Sequence, residues 1–202
     1  VFTPEGDSQP VSWRAYSRLS VADVTLKNAG TYRVSMYQPT THMLTFKNAD
    51  GSPGRKFGDG ATAPEGATDA VRRTYEARAE TYITYNETSR TVLEPTGKGL
   101  ELVGETHPND LFAGEPSTFK LALNGQTLTL PARVVLTRNG TRHRNQRETV
   151  VVESIQNGEF EITFDQPGYY LLEAEVEADV VDDPNVDKRG YGLSLVFEVF
   201  PE

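Results

Sequence analysis

The sequence contains no cysteine, which excludes disulfide bonds, thiolate metal sites, a cysteine nucleophile and lipid attachment to cysteine. It has no run of about 18 consecutive apolar residues, the length that a membrane-spanning helix requires. Catalytic signatures are also missing: there is no Gly-x-Ser-x-Gly, no His-Glu-x-x-His and no Gly-rich phosphate loop. We therefore expect a protein that is not an enzyme and has no transmembrane segment.

Positive charge is scarce, most of all near the C-terminus. The 202 residues carry 20 Lys and Arg against 29 Asp and Glu, a formal net charge of −9. Residues 148–202 contain only Lys188 and Arg189 against 14 acidic side chains. Since the phosphate backbone of nucleic acids attracts positive surfaces, this balance argues against a nucleic-acid partner.

The sequence is instead rich in turn residues, with 17 Gly and 12 Pro, and in short segments whose apolar residues alternate with period two. Such alternation is typical of β-strands that bury one face. Residues 20–26 and 31–37 alternate in this way around Asn28-Ala29-Gly30, which predicts a hairpin. Segment 69–85 is ambiguous, because Asp69 could cap a helix, but its residues Ala79–Tyr85 favour a strand. The fold class predicted is all-β, built from β-sandwiches.

Two β-sandwich-like domains are predicted, separated by Pro95-Thr96-Gly97-Lys98-Gly99. Residues 98–202 read as a sandwich of the immunoglobulin or transthyretin type, because short strands follow one another at regular intervals. The predicted strands are Leu100–Val103, Thr118–Leu123, Thr127–Leu130, Arg133–Thr137, Thr149–Glu153, Glu159–Phe164, Tyr169–Ala178 and Tyr191–Phe200.

Residues 1–94 are predicted to form a partial N-terminal β domain. They supply fewer strand-like segments, and the Gly/Pro-rich stretch 48–67 is predicted to be a long surface loop. The chain opens on Val1 rather than Met, so we expect that a leader was removed and that this domain is truncated at its N-terminus.

A weak internal repeat links the two predicted domains. Residues Val24–Val34 align with Ile162–Leu172 at a constant offset of 138 residues, and in both segments a tyrosine follows two positions after a glycine. This pattern predicts that Tyr32 and Tyr170 each fix a sandwich corner through a hydrogen bond from the hydroxyl to the backbone.

His107 and Asp110 are the candidate ligands for a transition metal. They lie in the turn Thr106–Leu111 at the predicted domain junction, where both domains could supply further contacts. Imidazole and carboxylate suit nickel, zinc or copper if a second imidazole joins them from elsewhere in the chain. In the alternative interpretation, His107 packs against the first domain and Asp110 binds backbone amides of the turn.

A second candidate site is the acidic loop 182–187. Asp183, Asn185 and Asp187 alternate in it, which places three oxygen ligands on one side of a tight loop and suits calcium. The loop is not an EF-hand, because Lys188 stands where that motif requires glycine. The alternative is a solvated acidic turn.

Four segments resemble bacterial exported proteins of domain-of-unknown-function family 4198, formerly labelled nickel-transport NikM-like: Pro95–Val103, Thr106–Glu115, Thr118–Lys120 and Asn124–Gln126. The likeness is good over residues 95–202 and loose over 20–94, and Thr106–Leu111 is its most specific part. We expect that the family's leader and its His- and Trp-containing mature start lie outside these 202 residues.

The resemblance implies a periplasmic, non-enzymatic accessory or binding protein linked to uptake of a transition metal of the nickel, cobalt or iron type. A divalent metal ion would then be its ligand, and a membrane transporter component or another envelope protein its partner. The alternative is a structural or interaction module that docks an envelope or membrane partner through the acidic residues 148–202.

Overall fold

The computed structural model describes residues 1–152 and 157–202, and it confirms the all-β fold class. Two single turns of 3-10 helix occur in this part of the chain, at Thr91–Leu93 and Thr141–His143, and no helix there is long and apolar enough to cross a membrane. The strands are β1 (Arg14–Ala15), β2 (Ser20–Val21), β3 (Gly30–Lys47), β4 (Pro53–Phe57), β5 (Thr68–Tyr85), β6 (Leu100–Val103), β7 (Pro116–Leu123), β8 (Gln126–Thr127), β9 (Ala132–Arg138), β10 (Val150–Val152), β11 (Glu159–Thr163), β12 (Gly168–Asp179) and β13 (Lys188–Val199).

Two sheets enclose the hydrophobic core. The larger sheet has the strand order β10-β9-β12-β13-β5-β3-β4, and the smaller has the order β11-β7-β6 with β8 paired to β7. Alternate residues of each sheet face inward, for example Phe119 and Leu121 of β7 against Leu172 of β12 and Leu195 of β13. This is the sandwich arrangement that period-two alternation predicts.

The larger sheet continues across the predicted domain boundary. Strand β5 pairs in parallel with β13, from Arg73 opposite Lys188 to Thr81 opposite Val196. The core cluster also joins both ranges, since it contains Tyr82 and Leu93 together with side chains from residues 100–199. Residues 1–94 and 98–202 thus share one sheet and one core.

The first half of the chain departs from the predictions in two places. The predicted hairpin is wrong in its first arm, because residues 22–26 form no strand. The backbone of Phe2 instead pairs with Arg33 of β3, with N···O distances of 2.8 and 3.1 Å, and so occupies the position beside β3 that this arm would take. The loop predicted over 48–67 contains β4, which pairs with residues 43–47 of β3.

The remaining strand predictions are confirmed with small shifts. Segment 69–85 is strand β5, not a helix, and the predicted strand at 100–103 coincides with β6. The strand predicted over 127–130 is reduced to β8, two residues long. Glu153, the last residue of the strand predicted over 149–153, lies outside the described residues.

The two predicted tyrosine corners are both present. The hydroxyl of Tyr32 donates to the carbonyl of Asn28 at 3.0 Å, and that of Tyr170 donates to the carbonyl of Gln166 at 2.7 Å. Each bond spans four residues, and Asn28 and Gln166 are equivalent in the internal repeat. The repeat therefore marks one local structure used twice.

Four buried charges connect the larger sheet to β6. They are Arg33, Arg78, Glu80 and Glu101, and each is at most 5% exposed. The Arg78 guanidinium lies 3.0 Å from Glu101 and 3.1 Å from Glu80, and Arg33 lies within 3.9 Å of both carboxylates. Glu101 also accepts backbone N–H bonds from the segment 96–98. The predicted domain boundary is thus anchored to the core by an ionic cluster.

Candidate functional site

His107 lies in the turn after β6 and is 6% exposed. Its Nδ1 accepts a hydrogen bond from the Asn109 N–H at 3.0 Å, so the ring proton is on Nε2. Nε2 lies 3.1 Å from the carbonyl oxygen of Ser89, to which it donates, and 3.1 Å from Oγ1 of Thr31. Burial lowers the pKa of His107, which keeps the ring neutral.

Asp110 supports the same turn through its backbone. Its N–H donates to the carbonyl of His107 at 3.0 Å, while the residue as a whole is exposed. Both ring nitrogens of His107 are already hydrogen-bonded, so a metal ion would have to displace one of these bonds. The role of His107 and Asp110 as metal ligands stays a prediction.

The neutral state of His107 makes stability depend on pH. Because folding lowers its pKa below the ordinary value of 6.5, the unfolded chain binds this proton more readily. The contribution of neutral His107 is present above that value and is lost as the pH falls through the lower folded pKa. Urea unfolding between pH 8 and 5 should show this loss in the wild type and a flatter profile in His107→Gln. The exposed-site variant His143→Gln should keep the wild-type slope; an equal slope in His107→Gln would contradict the assignment.

In the acidic loop 182–187, the carboxylates of Asp183 and Asp187 accept hydrogen bonds from different N–H groups. Asp183 Oδ1 accepts the N–H of Asn185 at 2.9 Å, and Asp187 Oδ2 accepts the N–H of Arg72 at 2.6 Å. The N–H of Asp187 in turn donates to the carbonyl of Arg72 at 2.9 Å, which ties the loop to β5. Calcium binding by Asp183, Asn185 and Asp187 stays a prediction.

A polar cleft of about 410 Å³ is the strongest candidate site, and we call it the His42 cleft. His42 of β3 lies opposite Thr74 of β5, and Thr74 lies opposite Arg189 of β13, so these three residues form one row across the sheet. Glu76, Asn124 and Asp183 also line the cleft. Asp183 is thus brought together with His42 and not with His107.

Hydrogen bonds fix the carboxylate of Glu76 in the His42 cleft. Glu76 accepts from the hydroxyl of Tyr37 at 2.7 Å and from that of Thr40 at 2.8 Å. Burial and the neighbouring Glu76 raise the pKa of Tyr37 to about 12, so its hydroxyl keeps its proton and remains a donor. The carboxylate retains lone pairs for a ligand, since each of its oxygens has two.

His42 and Thr74 have polar atoms available to a ligand. The His42 side chain is 40% exposed, and its Nδ1 lies 3.8 Å from the carboxylate of Asp59. Thr74 is 5% exposed, and its hydroxyl has no hydrogen-bond partner among the described residues. A buried hydroxyl without a partner is costly, which favours a ligand at this position.

The sequence predicted a ligand role for one residue that lines this cleft, Asp183, and for none of the other lining residues. His42 is an isolated histidine in the sequence, and Arg189 is 147 positions away from it. Only the pairing of β3, β5 and β13 brings the two into one row, on either side of Thr74. Within residues 1–152 and 157–202, no group of three or more His, Asp or Glu is placed so that it could hold a metal ion.

A family model described as Domain of unknown function (DUF4198) matches residues 1–178. No curated protein matches the chain. The matched range includes His42, Thr74, Glu76 and Asn124 and ends before Asp183 and Arg189. Since the match covers most of the 202 residues, and agrees with the resemblance seen in the sequence, the chain belongs to the DUF4198 family.

Proposed function

We propose that the chain is a non-enzymatic binding protein of the bacterial periplasm that holds a transition-metal ion of the nickel, cobalt or iron type during uptake. One observation carries the proposal: the half-exposed imidazole of His42 lines an open cleft together with the carboxylates of Glu76 and Asp183. Imidazole nitrogen and carboxylate oxygen together suit divalent first-row metals.

Comparison of the three histidines favours His42 as the ligand. The ring nitrogens of His107 are both hydrogen-bonded in the interior. His143 is exposed and lies in a turn between Arg142 and Arg144, whose positive charges oppose a cation. His42 instead has the Asp59 carboxylate beside it, which favours a bound cation.

The proposed partner is a membrane transporter component or another envelope protein that receives the ion.

A second candidate function, a docking module without a metal, is favoured by the outer face of the larger sheet. Met36 of β3, Val196 of β13 and Tyr169 of β12 expose 61%, 44% and 51% of their surface on this face, which also carries the acidic residues Glu173 and Glu175 of β12. Large exposed apolar side chains on one sheet face are a feature of interaction surfaces.

Calorimetric titration with nickel, cobalt, copper, zinc and iron tests the metal proposal. At least one ion should bind more tightly than about millimolar, roughly −4 kcal/mol, because the imidazole of His42 can ligate it in a cleft that carboxylates also line. His42→Ala should abolish this binding, and His143→Ala should leave it unchanged. Millimolar or weaker binding of every ion would contradict the proposal and favour the docking module. Loss of binding in His107→Ala, with the fold intact, would move the site to the 107–110 turn.

A further inference from the structure

The His42 cleft contains hydrogen-bond donors that a bare cation cannot use. Arg189 contributes a guanidinium and Asn124 a side-chain amide, whose Oδ1 already accepts the N–H of Gly99 at 2.9 Å and whose NH2 group is a donor. A guanidinium beside a divalent cation is repulsive. The walls of the cleft therefore match a ligand that carries negative as well as positive charge.

The strand register places His42, the candidate metal ligand, and Arg189, the positively charged donor, on opposite sides of the cleft. Thr74 lies in the centre of the row, with His42 on one neighbouring strand and Arg189 on the other. Neighbouring strands are about 4.8 Å apart, which places the backbones of His42 and Arg189 roughly 10 Å from each other. The hydroxyl of Thr74, buried and without a partner among the described residues, lies between them.

The size of the cleft and the small number of its protein ligands both indicate a ligand larger than a bare metal ion. A volume of about 410 Å³ is in the range of small-molecule sites, about 300–1,000 Å³, and far exceeds a single ion. The described residues also offer no cluster of three His, Asp or Glu around one point. Because a transition metal takes at least four ligands, some of them must come from elsewhere.

We propose that the cleft binds its metal ion as a complex with a small carboxylate chelator of the α-amino-acid type. The ion lies on the side of His42, and the chelator carboxylate, bound to the metal through one oxygen, accepts hydrogen bonds from Arg189 through the other. Thr74 contributes its free hydroxyl between the two. This inference rests on the proposed function, because it names the form in which the metal arrives.

A chelator has opposite effects on nickel binding at a site for the bare ion and at a site for the metal complex. Calorimetry with nickel can therefore test the inference. A chelator competes with a protein site for the bare ion and weakens binding, whereas a site for the complex is filled better when the chelator is present. Glycine should tighten nickel binding about tenfold, the effect of one charge-assisted hydrogen-bonded pair. Ethylenediamine, which chelates nickel but has no carboxylate, should weaken it.

Two arginine variants separate the roles in the cleft. Arg189→Ala should lose the gain from glycine while binding bare nickel at least as tightly as the wild type, because a positive charge is removed. Arg142→Ala, which changes an exposed arginine outside the cleft, should behave like the wild type. Thermal melts without metal check that both variants are folded.

The other outcomes distinguish the inference from the proposed function. If glycine weakens binding as ethylenediamine does, the cleft takes the bare ion; the inference then fails while the proposed function stands. If nickel binds neither alone nor with glycine, both fail. If glycine binds equally well without nickel, the ligand is the amino acid itself, and the metal complex is again wrong. A gain from glycine that persists in Arg189→Ala would also overturn the inference.

Discussion

Glu101→Ala should lower the free energy of unfolding by about 3–5 kcal/mol, because it breaks a buried ionic cluster by removing one partner. Glu101 is 0% exposed and lies 3.0 Å from the guanidinium of Arg78. Its carboxylate also accepts the N–H groups of Thr96 and Gly97, both at 2.9 Å. The alanine variant leaves the two buried guanidinium groups of Arg33 and Arg78 with Glu80 as their one remaining carboxylate in the cluster, and it removes the acceptor of the Thr96 and Gly97 N–H groups. Urea denaturation measures the loss.

Two further variants make this prediction specific. Glu161→Ala, at an exposed position of β11, should change stability by no more than about 0.5 kcal/mol. Glu101→Gln keeps the shape and an acceptor oxygen but not the charge, so it should fall between Glu101→Ala and the wild type. A loss in Glu101→Ala no larger than that in Glu161→Ala would mean that the cluster does not hold the 96–101 segment to the core.

The charge of Glu101 makes the stability of the folded protein depend on pH. Burial alone would raise its pKa, but hydrogen bonds from Thr96 and Lys98 and the charge of Arg78 lower it below the ordinary value of 4.5. Its contribution is therefore present above that value and is lost as the pH falls through the lower folded pKa. This agrees with a carboxylate that is ionised in the folded protein.

Local patterns in the sequence predict the strands where apolar side chains face inward. Strands β6, β7, β9, β11, β12 and β13 were predicted to within a few residues for this reason. The turn at Asn124-Gly125 between β7 and β8 has the expected positive φ angles, 51° and 76°. Period-two alternation and turn residues are properties of neighbouring positions, so a single sequence displays them.

Strand β5 shows where this reasoning stops. Its alternation is inverted, because Arg78 and Glu80 face the interior while Ala77 and Ala79 lie on the outer face of the sheet. A pattern-based interpretation places alanine inside and charge outside. The inversion is stable only because Glu101 and Arg33 neutralise these charges from other strands, which the local sequence does not encode.

The candidate site depends even more on long-range pairing. The row of His42, Thr74 and Arg189 exists because β5 pairs with β3 on one side and in parallel with β13 on the other. Parallel pairing requires a long connection, so nothing near either strand predicts it. The sequence therefore indicated Asp183 as a candidate ligand through its loop, while its neighbours in the cleft become visible only in the folded chain.

Phe197→Ala should lower the free energy of unfolding by about 3–5 kcal/mol, the usual cost of removing a buried aromatic ring. Phe197 of β13 is 5% exposed, and its ring lies 5.7 Å from Phe164 and 6.2 Å from both Phe119 and Tyr170. It therefore joins side chains from both sheets, and its loss leaves a cavity at the centre of the core.

The same variant tests whether the two predicted domains unfold together. Because β13 pairs with β5, the loss should move the whole calorimetric transition down by about 6–20 °C rather than split it. Val196→Ala, one position away on the exposed face, should shift it little. If residues 1–94 unfolded independently of 98–202, part of the transition would stay at the wild-type temperature in Phe197→Ala. Since one sheet and one core cross the predicted boundary, we expect a single transition that moves as a unit.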